Sequence, residues 1–275
     1  MARRRGEFKA AEKRRRTRQL AHVLPFPVEL TRPAPAVQPA PRARPLRLHG
    51  WLAWPLAALL LVFAGDQAWV FWQVWRLRDH SPSTTAFMRS GLERLQASNP
   101  RAHLQHRWVP YEQISVHLKR AVIAAEDQKF LDHDGFDLDA IHKAYEENAR
   151  LGRIRSGAST ISQQLAKNLF LSPLRTYFRK AHEVVITLML ELVLGKRRIL
   201  EIYLNEIEWG DGIYGAEAAA QHYCGKAAAK LKPKEAARLA AMIPMPRLYS
   251  RNPKTPYLKQ RTKTVLSQMP YVRVP

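Results

Sequence analysis

One stretch of the chain restricts its fold more than any other. From Trp51 to Trp75 it reads Trp-Leu-Ala-Trp-Pro-Leu-Ala-Ala-Leu-Leu-Leu-Val-Phe-Ala-Gly-Asp-Gln-Ala-Trp-Val-Phe-Trp-Gln-Val-Trp. As a helix this segment is about 37 Å long, enough to cross a hydrocarbon core of about 30 Å with some tilt. Its aromatic residues gather toward both ends, as suits two membrane interfaces. Asp66 is the polar exception. A carboxyl group within hydrocarbon is costly, so next to Gln67 it either reaches the interface or faces a partner helix. A cleaved signal peptide competes for this segment, because the apolar stretch before Asp66 has the length of an h-region. The basic region ahead of it is much longer than an n-region, however, and no convincing small-x-small cleavage site follows, so the segment reads as an uncleaved anchor.

Residues 1–50 place Arg3, Arg4, Arg5, Lys9, Lys13, Arg14, Arg15, Arg16 and Arg18 ahead of seven prolines between Pro25 and Pro45. Such a tail cannot bury a core. Its arginines either bind nucleic acid or a partner, or they mark the cytoplasmic side; the anchor that follows favours the second reading and puts everything after about residue 76 outside. The whole chain carries a formal charge of +22, which implies an anionic partner: nucleic acid, an acidic membrane surface or a phosphorylated substrate. Cys224 is the only cysteine, which excludes an intramolecular disulfide and a cysteine-based zinc site.

Residues 76–107 read as a linker and membrane-proximal segment with a short helix. Beyond them helical spacing dominates, over roughly 111–129, 137–152, 160–170, 175–194, 196–207, 212–223, 233–242 and 254–269. No alternating strand pattern competes, so the exported part, 108–275, is expected to be mainly α. In the first of these helices Ile114, Leu118, Val122 and Ile123 recur on one face, and Glu126 falls at the edge of that buried stripe. A carboxylate there loses hydration, which pushes its pKa toward the range useful for a general base. Glu183 is placed differently: Arg179 and Lys180 lie four and three residues before it on the same helix face. Two carboxyl groups in unlike surroundings suit a division between proton transfer and charge stabilisation; an ordinary helix ion pair is the other reading of Glu183.

Between them, Thr160-x-x-Gln163 forms a capping box that opens a helix. That leaves Ser159 and Gln164 free to bind a polar ligand at a helix N-terminus, with Lys167, Arg175, Arg179 and Lys180 near in sequence as a clamp for phosphate or pyrophosphate. The acidic turn from Asp132 to Asp139 fails EF-hand spacing, since Phe130 and Ile141 fall at the first and last ligand positions. His133 is expected to fix the loop after Glu126 by hydrogen bonding.

Taken in order, these segments resemble the peptidoglycan glycosyltransferase family, the lysozyme-like transglycosylases. Glu126-Asp127-x-x-Phe130-x-x-His133-x-Gly135 matches the first family motif, and Gly157-x-Ser159-Thr160-Ile161-x-Gln163-Gln164 the second. Arg179-Lys180-x-x-Glu183, reaching Leu190-Glu191, looks like the third, and Lys196-x-x-Ile199-Leu200-Glu201-x-Tyr203-Leu204-Asn205 the fourth. Gly212-Ile213-Tyr214-Gly215 and Ala218-Ala219-x-x-x-Tyr223-x-Gly225-Lys226 fit a fifth. Thr187 and Cys224 depart from the family's usual alanine and aromatic residue, both at packing positions.

The resemblance implies a lysozyme-like glycosyltransferase domain over 108–275, mainly α, behind a single transmembrane helix over 51–75. By it, Glu126 is the general base and Glu183 its catalytic partner, Ser159, Thr160, Gln163, Gln164, Lys167, Arg175, Arg179 and Lys180 bind substrate, and Asp127, Phe130, His133 and Gly135 scaffold the loop. The substrate implied is lipid II with a growing glycan strand, polymerised by inversion to β-1,4 bonds with release of undecaprenyl pyrophosphate. A divalent ion, magnesium or manganese, near the pyrophosphate is possible but not required. Membrane lipids and cell-division or cell-wall synthesis proteins are the other partners implied, and nucleic acid is not one. The place implied is the bacterial inner membrane, N-terminus in the cytoplasm. Because the chain stops at Pro275, it looks monofunctional, without a transpeptidase domain. A lytic enzyme that cleaves peptidoglycan and a membrane-tethered nucleic-acid binder are the rival readings.

Overall fold

The computed structural model describes residues 50–153, 157–173 and 176–275. The arginine-rich tail and Arg175 lie outside them. Helix α1, Gly50–Arg76, contains the single candidate membrane span among the described residues, Ala53–Arg76. Its two halves differ. From Trp54 to Phe63 the large apolar side chains are exposed, as a helix surrounded by lipid requires. Val70, Val74 and Leu77, at i, i+4 and i+7, are buried against the rest of the fold. Asp66 meets a partner helix: its Oδ2 lies 3.6 Å from His182 Nε2 and accepts a 2.9 Å bond from Gln67.

Helix α2, Ala86–Ser98, begins at Thr85, whose hydroxyl accepts the Met88 N–H at 3.1 Å. It lies within the segment read as a linker, yet Met88 and Gly91 are buried. A Cβ at Gly91 would stand 2.2 Å from the Tyr214 hydroxyl, so only glycine lets that ring reach α2 and donate to the Phe87 carbonyl at 3.1 Å.

Helix α3, Val116–Glu126, is shorter than the spacing predicts. Its expected first turn is a separate 3₁₀ turn, Tyr111–Gln113, and Ser115 restarts the helix by accepting the His117 N–H at 3.2 Å. Leu118, Ala121, Val122 and Ile123 give α3 a wholly buried face, against which α9, Pro233–Met242, and α11, Pro256–Gln268, pack. Helix α4, Leu138–Leu151, ends at Gly152 in the left-handed conformation. A second packed group comprises α5, Ile161–Phe170, α6, Tyr177–Val193, and α7, Lys196–Glu206.

Three short strands, absent from the expectation, lie between helices, one after α2 and two after α7. They are β1, Gln105–His106, β2, Glu208–Gly210, and β3, Ile213–Tyr214, in the order β1-β3-β2, with β1 parallel and β2 antiparallel to β3. Two or three residues are too few to show a period-2 pattern. They also delay α8, Ala216–Cys224, because Gly212 and Gly215 adopt φ of +75° and +83° and turn the chain before it. Helix α10 is the single short piece Pro246–Arg251. At the end of α7, Glu206 is fully buried with neither carboxyl oxygen hydrogen-bonded among the described residues; His106 Nε2 lies 3.6 Å from its Oε1. Burial pushes the Glu206 carboxyl up to about 8.

Candidate functional site

Glu126 is the last residue of α3, so its backbone is fixed by the buried face while its side chain projects past the helix end. Only 10% of the side chain is exposed. Oε2 accepts from the Gln164 amide at 2.9 Å and Oε1 from Arg261 at 3.3 Å. Gln164 is itself oriented by the buried Tyr203, whose hydroxyl donates to its Oε1 at 2.8 Å. Burial raises the Glu126 pKa, and Gln164, Arg261 and Lys167 pull against that rise.

Asp127 closes the helix and faces inward. Its Oδ2 accepts the Ile161 N–H at 3.0 Å, joining the end of α3 to the start of α5. The Gly135 N–H donates to His133 Nδ1 at 3.2 Å, which leaves the ring proton on Nε2, pointing at Asp127 Oδ1 2.9 Å away. Thr160 donates to the Gly135 carbonyl at 2.6 Å while its capping box with Gln163 forms as expected. Gly135 has φ +92°, and a Cβ there would stand 2.8 Å from Thr187 Cγ2. Lys196 reaches the His133 carbonyl at 2.5 Å and Glu191 at 2.7 Å, with Phe130 buried beneath its ammonium. Glu191 also accepts from Ser162 at 2.5 Å. Residues from four sequence motifs thus lock one loop, and Thr187 packs where a smaller side chain would leave space.

Two openings flank Glu126. A groove of about 660 Å³ is lined by Ser159, Gln163, Gln164, Lys167, Arg179, Lys180 and Glu183, with Phe87 and Arg247 on its other walls. Glu183 is 3% exposed, held by Arg179 at 2.8 Å and by Lys180. Burial lowers the Lys167 pKa; Glu183 and Glu126 raise it, and Arg179 and Lys180 lower it further. The other opening, about 320 Å³, is lined by Glu126, Lys129, Asp137, Asp139, Lys143 and Ser159. Ser159 borders both. The structure therefore brings together Ser159, Gln163, Gln164, Lys167, Arg179, Lys180 and Glu183 around one groove, with Glu126 beside it, lining the other opening and bonded to Gln164, and puts Thr160 in the frame, 2% exposed.

Arg261, Tyr203, Phe87 and Arg247 were missed. Arg261 carried a signal: with Leu258 and Val265 it falls on the buried stripe of α11, where a cation needs a reason. Arg247 holds Glu208 through two bonds of 2.8 and 2.9 Å, which gives that wall of the groove a rigid ion pair. Among the described residues no three His, Cys, Asp or Glu side chains gather to hold a metal ion. Glu183 is already engaged by two cations, with Lys167 on the same groove wall, so this donor set does not fit a divalent ion held by the protein.

A mainly helical domain with two shielded glutamates, Glu183 within a cationic groove and Glu126 beside it, fits a lysozyme-like enzyme of glycan chemistry. The family model described as Transglycosylase matches residues 93–270, and the chain belongs to that family. It is 56% identical over 228 residues to the biosynthetic peptidoglycan transglycosylase of Azoarcus sp. (strain BH72), covering 83% of this chain and 98% of that relative. To the protein of the same name from Nitrosospira multiformis it is 57% identical over 209 residues, 76% of this chain and 91% of the relative.

Proposed function

We propose that this enzyme polymerises lipid II into the glycan strands of peptidoglycan, with Glu126 as general base. The observation that carries the reading is the pairing of a desolvated Glu126 with a cationic groove that begins beside it. Glu126 takes the proton from the acceptor sugar's 4-hydroxyl as that oxygen bonds to the donor's anomeric carbon. The anomeric carbon–oxygen bond to pyrophosphate breaks with inversion, and the electron pair leaves on undecaprenyl pyrophosphate. Lys167, Arg179 and Lys180 stabilise that developing charge, and Glu183 fixes the positions of Arg179 and Lys180. Arg175 is proposed to join them. Ser159, Gln163 and Gln164 line the sugar path; Thr160, Asp127, Phe130, His133 and Gly135 hold the frame.

The domain is proposed to work at the outer face of the cytoplasmic membrane, with residues 1–50 inside. Two features support that placement: α1, and an exposed apolar face on α6 that includes Phe178, Leu188 and Leu192. A lytic reading gives the cationic wall nothing to do, since cleaving a glycan releases no pyrophosphate. The deciding experiment incubates the purified protein with lipid II and resolves the glycan products. Chains are expected from the wild type, a loss of about 10²–10⁴ in rate from Glu126→Gln, and lipid-linked substrate still bound by that variant. Activity confined to preformed sacculi would remove the polymerase assignment, and rapid polymerisation by Glu126→Gln would remove the base.

A further inference from the structure

We propose that a cavity between the anchor and the domain binds the phosphate headgroup of an anionic phospholipid, at a site separate from the groove beside Glu126. This inference rests on the reading of α1 as a membrane span. The cavity measures about 480 Å³ and lies between the outer half of α1, residues 80–84, the first turns of α2, the end of α5 and His182 of α6. It shares no lining residue with the groove of Lys167 and Arg179.

Its charges are unbalanced. Arg76 and Arg89 both line it. Among the described residues the Arg89 guanidinium makes no ion pair, and Arg76 contacts only the face of the Trp72 ring, 5.0 Å from its centroid. Asp66 is the one acid in the lining, and it already has Gln67 and His182 as neighbours. Two arginines without an ion pair in the lining of a confined space suit a phosphate diester, which accepts their paired N–H donors and supplies the second negative charge that Asp66 alone does not.

Depth selects a lipid over a dissolved ion. Arg76 is the last residue of α1, and Asp66 lies ten residues, about 15 Å, further back along the same axis. Between them Trp69 stacks on Trp72 with centroids 4.8 Å apart, at the level where indoles settle in a membrane interface. Along α1 the cavity runs from Arg76 past Val70 and Trp69 to Asp66, which with His182 closes its inner end, so the headgroup sits at the Arg76 end with Trp69, Val70 and Phe170 beside the start of its acyl chains.

The test uses the full chain in nanodiscs of equal phosphatidylglycerol and phosphatidylcholine, with lipids retained on release counted by native mass spectrometry. Phosphatidylglycerol should be retained selectively, and the double variant Arg76→Gln with Arg89→Gln should weaken that retention about thirtyfold. Unchanged thermal unfolding of the variant separates this loss from misfolding; Arg89→Lys, which keeps charge but loses the fork, should give an intermediate value. Equal retention of both lipids, or full retention by the double variant, overturns the proposal. Displacement by inorganic phosphate would show a site for a free anion, and displacement by undecaprenyl pyrophosphate at equal lipid fraction a site for the prenyl carrier; either overturns the phospholipid assignment. Failure of the chain to enter the disc would instead strike the membrane-span reading, and this proposal with it.

Discussion

Replacing Glu206 by glutamine should flatten the pH dependence of stability. The carboxyl group is fully buried, neither oxygen has a hydrogen-bond partner among the described residues, and it stays protonated in the folded protein up to about pH 8. In the unfolded chain it ionises near its ordinary value of 4.5. Between those values folding takes up a proton, so stability falls as pH rises, by about 1.4 kcal/mol per unit, and levels off once the folded carboxyl also ionises. Over the full window of about 3.5 units the loss approaches about 5 kcal/mol. Glutamine cannot titrate. Its buried amide adds a destabilisation of about 1–3 kcal/mol, but one that does not vary with pH, so the readout is the slope and not the level. His106, whose pKa is lowered by burial, works in the opposite direction below its ordinary value of 6.5, and taking the difference between variant and wild type largely removes its contribution. For a domain of this size 1 kcal/mol moves Tm by about 2–4 °C, so the Tm of the variant minus that of the wild type should grow by about 3–5 °C per pH unit between about pH 6.5 and 8. Tryptophan fluorescence melts in detergent across that range measure it. Parallel curves for the two proteins would refute the buried, neutral carboxyl.

Glu126 should show the same sign, since burial raises its pKa: Glu126→Gln should melt higher than wild type near neutral pH and equally in acid, below the ordinary carboxylate range, as differential scanning can establish. Gly135→Ala forces a Cβ to 2.8 Å from Thr187 at φ +92° and should destabilise by about 1–3 kcal/mol, read as a lower midpoint in denaturant; an unchanged midpoint would mean the loop is not locked. Arg261→Gln removes a cation from Glu126 Oε1 and should move the acid limb of the kcat/KM profile to higher pH, whereas a fall in rate with no shift would show that Arg261 acts only structurally.

Local chemistry was readable wherever one residue's neighbours in sequence are also its neighbours in space. The Thr160–Gln163 capping box and the ion pairs of Glu183 with Arg179 and Lys180 depend only on helical spacing, and each forms as the spacing implies. Long-range contacts were not readable in that way. Arg261 meets Glu126 across 135 positions, and Tyr203 meets Gln164 across 39, with no periodicity to connect them. The short strands failed for a related reason: their pairing is set by the partners that β3 finds, not by a pattern within two or three residues. The short helix expected within residues 76–107 is α2, but its docking was not readable, because its buried positions are few and Gly91 has significance only once Tyr214 is seen above it.

The docking of Val70, Val74 and Leu77 makes the anchor a ruler as well as a tether. A helix continuous from the exposed Leu59–Phe63 stretch into a docked stripe transmits both height and rotation. One residue added between Phe63 and Val70 would lift the exposed apolar stretch by about 1.5 Å and turn it by about 100° relative to the domain. A flexible stalk would absorb such an insertion. With α1 in the membrane as proposed, the number of residues in it would set how far above the hydrocarbon the groove stands, and so which part of the proposed lipid-linked sugar it meets first.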